Sequence, residues 1–442
     1  MSSYQTRKTP GDTKWFTHDR FGMFIHWGLY ALPARHEWVK NHELTPEAEY
    51  QRYFERFDPD LYDPKEWARE AKAAGMKYAV FTSKHHEGFC MWDSKYTDYK
   101  STNTPAKRDL VKEYVEAFRE AGLKVGFYYS LIDWHHPDFT IDRLHPRRDD
   151  PDAKALNEGR DMKRYAQYMR DQVTELLTNY GKIDILWFDF SYDDDASNKV
   201  WPKGKSKDDW ESEKLIALAR SLAPGIIIDN RAGMEQDLWT PEQFQPTEWQ
   251  KHEETGELVV WEACQTFSGS WGYYRDEMTW KSPEMLIRML IDTVSIGGNL
   301  LMNVGPTARG YLDKRARDAL DVYAQWMKYN SRSIYGCTMA EPDILQTLPA
   351  DCRFTQSTDG KRLYLHLFAW PFRHVCLDGL AGKVEYVQLL HDGSEIKFTE
   401  GELKHFGTGL PKGEKLLVLE LPVVKPDVVV PVVELFLKQF GT

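Results

Sequence analysis

The residues of this chain best suited by type to do chemistry are two histidine pairs and a scatter of carboxylates. Each stands where an apolar, β-branched or aromatic run stops: His26-Trp27, Lys84-His85-His86-Glu87, Asp133-Trp134-His135-His136, Trp187-Phe188-Asp189, Asp229-Asn230-Arg231, Trp261-Glu262 and Asn303. Imidazole and carboxylate serve as metal ligands, as general acids and bases, and as partners of hydroxyl groups. By residue type alone, His26, His85, His86, His135, His136 and Asp189 would satisfy a mononuclear or dinuclear metal site. The vicinal pairs lack the His-x-Glu or i, i+4 spacing that turns two imidazoles toward one metal, so no metal and no cofactor is expected. Without a metal, neutral histidines and tryptophans around two carboxylates suit a neutral polyhydroxylated substrate.

Cleavage of a glycosidic bond needs two carboxyl groups, one to attack or to activate water and one to protonate the leaving oxygen. Asp189, at the end of ILWFD, is the stronger candidate. The second is open among Glu242, Glu248, Glu262 and Glu277, all downstream near the loops after the fifth and sixth strands. A strand-end position slightly favours Glu262, for which a salt bridge to Arg231 is an equally good structural explanation.

These residues need a scaffold that gathers strand ends. FGMFIHWG (21–28), KYAVFTSK (77–84), KVGFYYSL (124–131), IDILWFDF (183–190), GIIIDN (225–230), LVVWEAC (258–264) and NLLMNVGP (299–306) read as strands alternating with amphipathic helices. One of those helices, DPKEWAREAKAAG, opens on Asp63-Pro64 and closes on Gly75, and another, RDLVKEYVEAFREAG, stops at Gly122. Seven strands are legible and an eighth is expected to be hidden. No Gly-rich phosphate fingerprint follows the first strand, so the pattern predicts a (β/α)8-like barrel with its chemistry at the C-terminal strand ends. Period-two alternation puts Trp187 and Asp189 on one face with Phe188 on the other, and Gly126, Tyr128 and Ser130 together.

From about residue 340 the texture changes to alternating runs at 361–370, 383–390, 394–400 and 415–422, which predicts a C-terminal all-β sandwich. The expected domains are a barrel over 1–338 and a sandwich over 339–442. The tail PVVKPDVVVPVVELFL is broken by three prolines and reads as an edge strand or strand pair, not a membrane span. With 57 basic and 68 acidic side chains the net charge is −11, which argues against a nucleic-acid partner. The 16 Trp and 23 Tyr offer flat faces suited to sugar rings, although core packing is the default for any one of them. The five cysteines are scattered and unpaired in spacing, and no signal-peptide run opens the chain; buried thiols in a soluble cytoplasmic protein are expected.

Taken in order, WFTHDRFGMFIHWGLYALPARHEW, FTSKHHEGFCMWDSKYTDY, RDLVKEYVEAFREAGLKVGFYYSLIDWHHPDF, ILWFDF, IIIDNRAG, TPEQ, WEACQTFSGSWGY and SIGGNLLMNVGP resemble the α-L-fucosidases of glycoside hydrolase family twenty-nine. The resemblance implies a retaining exo-hydrolase that releases L-fucose, with Asp189 as nucleophile and Glu242 of TPEQ as acid/base. It also implies a fucose pocket of His26, Glu37, Trp38, His85, His86, Tyr128, Trp187, Arg231 and Trp271. The implied partner is a fucosylated oligosaccharide or glycoside, with neither nucleic acid nor membrane. Three departures stand out: GPTARG where an acidic residue commonly precedes the last Gly, SRSIYG where NGEAIYG is usual, and FSYDDD after the nucleophile where Trp often follows. The last bears on what the leaving-group side accepts. Two other readings stay open, a metal-dependent hydrolase on the same barrel, which a chelator would silence, and a non-catalytic fucose-binding protein.

Overall fold

The computed structural model describes residues 3–345, 348–400 and 416–438. Seven parallel strands form one curled sheet: β1 (Phe21–Ile25), β2 (Tyr78–Lys84), β3 (Lys124–Ser130), β4 (Ile185–Asp189), β5 (Ile227–Ile228), β6 (Glu262–Thr266) and β7 (Asn299–Val304). Their order is β5-β4-β3-β2-β1-β7-β6. All residues of β1, β2, β4, β6 and β7 are buried, as a parallel sheet covered on both faces requires. Two of the covering helices stop at the glycines that the sequence signals, and the first also starts at its Asp-Pro signal. Asp63 accepts from the Lys65 N–H to cap Pro64–Ala73, and Asp109 accepts from the Lys112 N–H to cap Leu110–Glu120. Gly75 and Gly122 follow these helices in the left-handed conformation, at φ 86° and 82°.

The hidden eighth stave is the segment 238–242. It runs between β5 and β6 through isolated parallel bridges, Asp229 to Leu238, Trp239 to Trp261 and Glu242 to Cys264. Pro241 has no N–H to give to a ladder, so no continuous strand forms. The expected sixth strand is shifted: residues 258–261 make only bridges, and β6 begins at Glu262. Glu262 therefore opens its strand, level with Asn299 at the start of β7, and does not end it.

The β module has a five-stranded sheet, β12-β15-β10-β9-β8, and a three-stranded sheet, β11-β14-β13. The strands are β8 (Cys337–Met339), β9 (Cys352–Ser357), β10 (Arg362–Leu367), β11 (His374–Leu377), β12 (Val384–Leu389), β13 (Lys397–Glu400), β14 (Leu417–Glu420) and β15 (Val432–Leu437). Leu365, Val387, Val433 and Leu435 of the larger sheet share one apolar core with Leu377, Leu417 and Leu419 of the smaller. β8 straddles residues 338 and 339, the expected start of this module. Residues 1–2, 346–347, 401–415 and 439–442 of the two expected domains, with Lys415 of the strand expected at 415–422, lie outside the described residues. The tail is not an edge: β15 pairs with β10 on one side and β12 on the other. Pro422, Pro426 and Pro431 all precede Val432, so none costs the ladder a donor. Among the described residues no helix is long and apolar enough to cross a membrane. All five cysteines are unpaired, and Cys376 is exposed while the other four are buried.

Candidate active site

A pocket with about 340 Å³ of empty space opens at the C-terminal ends of the barrel strands. Asp189, Glu242, His26, Glu37, Trp38, His85, His86, Tyr128, Trp187, Arg231 and Trp271 all line it. Phe24, Phe190 and Cys264 complete the lining and were not anticipated. Phe24 shares the inward face of β1 with His26, a parity signal present in FGMFIHWG. Phe190 carries no such signal, because it follows the strand with φ 86°, strained for a non-glycine residue. That turn lays its ring 5.3 Å from Trp38 and 5.2 Å from His86.

Parity places Trp187 and Asp189 inside the barrel, while Phe188 packs outward into the core under the helices. Both Asp189 oxygens are held: the Tyr128 hydroxyl donates to Oδ2 at 2.7 Å and Arg231 Nη1 donates to Oδ1 at 3.0 Å. The same Nη1 donates to Glu242 Oε2 at 2.6 Å. Arg231 is fixed in turn by Thr240, whose hydroxyl and carbonyl accept at 2.8 and 3.0 Å, and by the Trp187 ring 4.5 Å below its guanidinium. Burial pushes the Asp189 carboxyl up to about 6, Arg231 pulls it down, and Glu242 adds to the rise. The carboxylate is thus ionised near neutrality but without water to spread its charge.

The histidines are uncharged. Burial pushes His26 down to about 3 and holds His85 and His86 well below the usual imidazole range. His85 stacks on Tyr128 with ring centroids 5.6 Å apart, and His86 Nε2 faces Asp189 Oδ2 at 3.9 Å. Trp38 meets His86 edge-on at 4.9 Å, and Trp271 lies 5.1 Å from His26. Glu37 is buried, accepts from the Gly272 N–H at 2.8 Å, and is raised to about 7 chiefly by burial.

The remaining carboxylates fall elsewhere. Glu248 is exposed and pairs with Lys251, and Glu277 caps the turn through the Met278 and Thr279 N–H groups. Glu262 makes no salt bridge to Arg231, whose partners are Asp189 and Glu242. It lies fully buried deep in the barrel, where the Tyr78 hydroxyl donates to it, and burial pushes it up to about 8. A carboxyl that keeps its proton in the fold but loses it near pH 4.3 when unfolded makes stability fall as pH rises between those values. Glu262→Gln keeps the acceptor and removes the titration. Urea midpoints at pH 5 and pH 9 should show the wild type losing on the order of a few kcal/mol that the variant retains.

Strand-end position also gathers residues that serve the scaffold. Asp133 pairs with the buried Lys84 at 3.1 Å, and its Oδ1 accepts from the His135 and His136 N–H groups. His135 stacks on Tyr99 at 3.8 Å and His136 packs on Tyr168. Asp229 accepts from the Phe188 N–H at 3.1 Å. Among the described residues no three His, Cys, Asp or Glu side chains are grouped to hold a metal ion.

Residues 1–332 match the family model described as alpha-L-fucosidase. The chain belongs to the α-L-fucosidase family. It is a glycoside hydrolase, and its similarity to solved members runs through both parts of the fold. It is 44% identical to α-L-fucosidase isoenzyme 1 from Paenibacillus thiaminolyticus, covering 97% of this chain and 99% of that one, with a TM-score of 0.87. An α-L-fucosidase of family GH29 from Bacteroides thetaiotaomicron, solved as a trapped covalent intermediate in complex with 2-fluoro-fucosyl fluoride, is 26% identical over 99% of this chain and 98% of its own, with a TM-score of 0.80. The plasma alpha-L-fucosidase of Homo sapiens is 29% identical over 407 residues, 84% of this chain and 78% of that protein.

Proposed function

We propose that this fucosidase is a retaining exo-enzyme that releases terminal L-fucose from α-L-fucosides through a covalent fucosyl-enzyme on Asp189. The observation that carries the reading is that one Arg231 nitrogen binds both Asp189 and Glu242, at 3.0 and 2.6 Å. The nearest carboxylate oxygens are then separated by no more than the sum of those bonds. Retaining glycosidases place their carboxyl groups about 5 to 5.5 Å apart, inverting ones about 6.5 to 9.5 Å.

Asp189 attacks the anomeric carbon as the glycosidic bond breaks, and Glu242 gives its proton to the departing oxygen. Water then enters on the vacated side, Glu242 takes its proton, and the bond to Asp189 breaks to return the carboxylate and release fucose. Burial favours this division of labour: Asp189 sits inside the pocket with both oxygens held, whereas Glu242 is partly exposed at its rim, where a leaving group departs. L-Fucose shows a C5 methyl in place of a 6-hydroxyl, and the Phe24 and Trp271 rings, 5.9 Å apart, offer it an apolar wall. The trapped intermediate of the Bacteroides thetaiotaomicron relative supports the same two-step course.

Proton NMR of the first sugar formed from an aryl α-L-fucoside tests the proposal. α-L-Fucose should appear first and mutarotate afterwards; initial β-L-fucose would show inversion and overturn it.

A further inference from the structure

The hydrogen bonds behind two pocket histidines determine which ring nitrogen carries the proton. His26 Nδ1 lies 2.7 Å from Asn303 Oδ1, and Asn303 Nδ2 donates to the Trp271 carbonyl at 2.7 Å. A carbonyl only accepts, so the Asn303 amide is turned with its oxygen to His26, and that oxygen must receive a proton from Nδ1. His86 Nδ1 lies 2.7 Å from Ser130 Oγ, and the Ser130 hydroxyl donates its one proton to the Ile132 carbonyl at 2.7 Å. Ser130 Oγ can therefore only accept from His86. Both rings line the pocket, and all four supporting groups are buried or backbone.

We propose that Asn303 and Ser130 are positioning residues that lock His26 and His86 as Nδ1–H tautomers, so that each ring presents an Nε2 lone pair to the sugar and recognises only a hydroxyl that donates. Neutral rings are required, and the surroundings keep them so. His26 is faced by His85, His36, Arg231 and the Tyr128 ring, and His86 by His85, Lys84 and His26, with Asp189 3.9 Å away. The gap between His86 Nε2 and Asp189 Oδ2 then holds two acceptors and no proton. A sugar hydroxyl supplies the missing donor there, and a fluorine in its place would not. The same Asn303 amide ties two elements together, the end of β1 through His26 and the loop after β6 through Trp271.

This inference rests on the proposed sugar pocket only for what the lone pairs meet; the tautomers themselves are a property of the free protein. Long-range proton–nitrogen NMR of the ring-labelled, unliganded chain, assigned by single-histidine replacement, should show protonated Nδ1 and bare Nε2 for both rings. A proton on Nε2 of either ring overturns the proposal. Asn303→Asp gives the activity readout. A carboxylate at this site raises the His26 pKa, so below the new value Nε2 becomes a donor and the acceptor is lost. Hydrolysis of an aryl fucoside should fall about ten- to a hundredfold at low pH and recover as pH rises through that value. Asn303→Ala should lower kcat/KM by one factor at every pH, and identical profiles for the two variants would refute the role. If the wild type cleaves no fucoside, the functional reading fails while the NMR still decides the tautomers.

Discussion

Asp189→Gly should lower kcat/KM for an aryl α-L-fucoside on the order of 10⁴- to 10⁶-fold, the scale on which removal of a covalent nucleophile acts. The loss is this large because nothing else in the pocket can take over. Glu37 is turned to the Gly272 N–H, Glu262 is buried deep in the barrel, and Glu242 is held at the rim by Arg231. Glycine leaves a carboxylate-sized space beside the Tyr128 hydroxyl and Arg231, both of which donated to the missing group. A small anion fits that space and its donors. Azide should restore part of the rate and yield a fucosyl azide of inverted configuration, because it attacks from the side that Asp189 occupied. In the wild type, kcat/KM should fall as pH drops through about 6, where the buried carboxylate takes up a proton. Full activity in the glycine variant without azide would sink the assignment.

Glu242→Ala should cost about 10²- to 10⁴-fold in kcat/KM on a fucosyl disaccharide and far less on a fucoside with a nitrophenol leaving group. A sugar alkoxide cannot depart without a proton, whereas a nitrophenolate can. Since kcat/KM reports only the steps up to the covalent enzyme, slower release of fucose does not blur the comparison. Glu262→Gln is the control: it sits away from the leaving group, so both substrates should change by a similar, small factor. Preferential loss on the disaccharide in Glu262→Gln, and not in Glu242→Ala, would transfer the acid role.

Much of the site was legible because strand parity is local. Alternation alone turned Trp187 and Asp189 inward together and set Tyr128 beside them, and the structure bonds Tyr128 to Asp189. Strand-end position, a separate argument, failed at Glu262, because LVVWEAC holds more β-prone residues than the ladder uses. Pairing with β7 starts at Glu262, so a residue that looks like a strand end is a strand start. Polar strand ends were also over-read as one site. Asp133 and Asp229 satisfy buried Lys84 and backbone N–H groups, a need that residue type cannot distinguish from catalysis. The tail strand was misjudged for a related reason: proline spacing bars a long strand but says nothing of whether the short one after Pro431 lies inside a sheet.

The sequence by itself determined the alternation of strands and helices, the caps that end them, the family motifs and the chemical types gathered at the strand ends, since all of these depend on near neighbours in the chain. Tertiary structure alone decided which carboxylates share Arg231, that segment 238–242 closes the barrel, and which groups stand behind His26 and His86. Asp189, Arg231 and Glu242 meet only because separate βα units converge. His26 owes its bond to Asn303, on the last strand of the barrel, and Trp271 is tied to the same amide. Burial then supplies what no spacing encodes: it raises Asp189, Glu37 and Glu262 and lowers the histidines by removing the water that would solvate their charges.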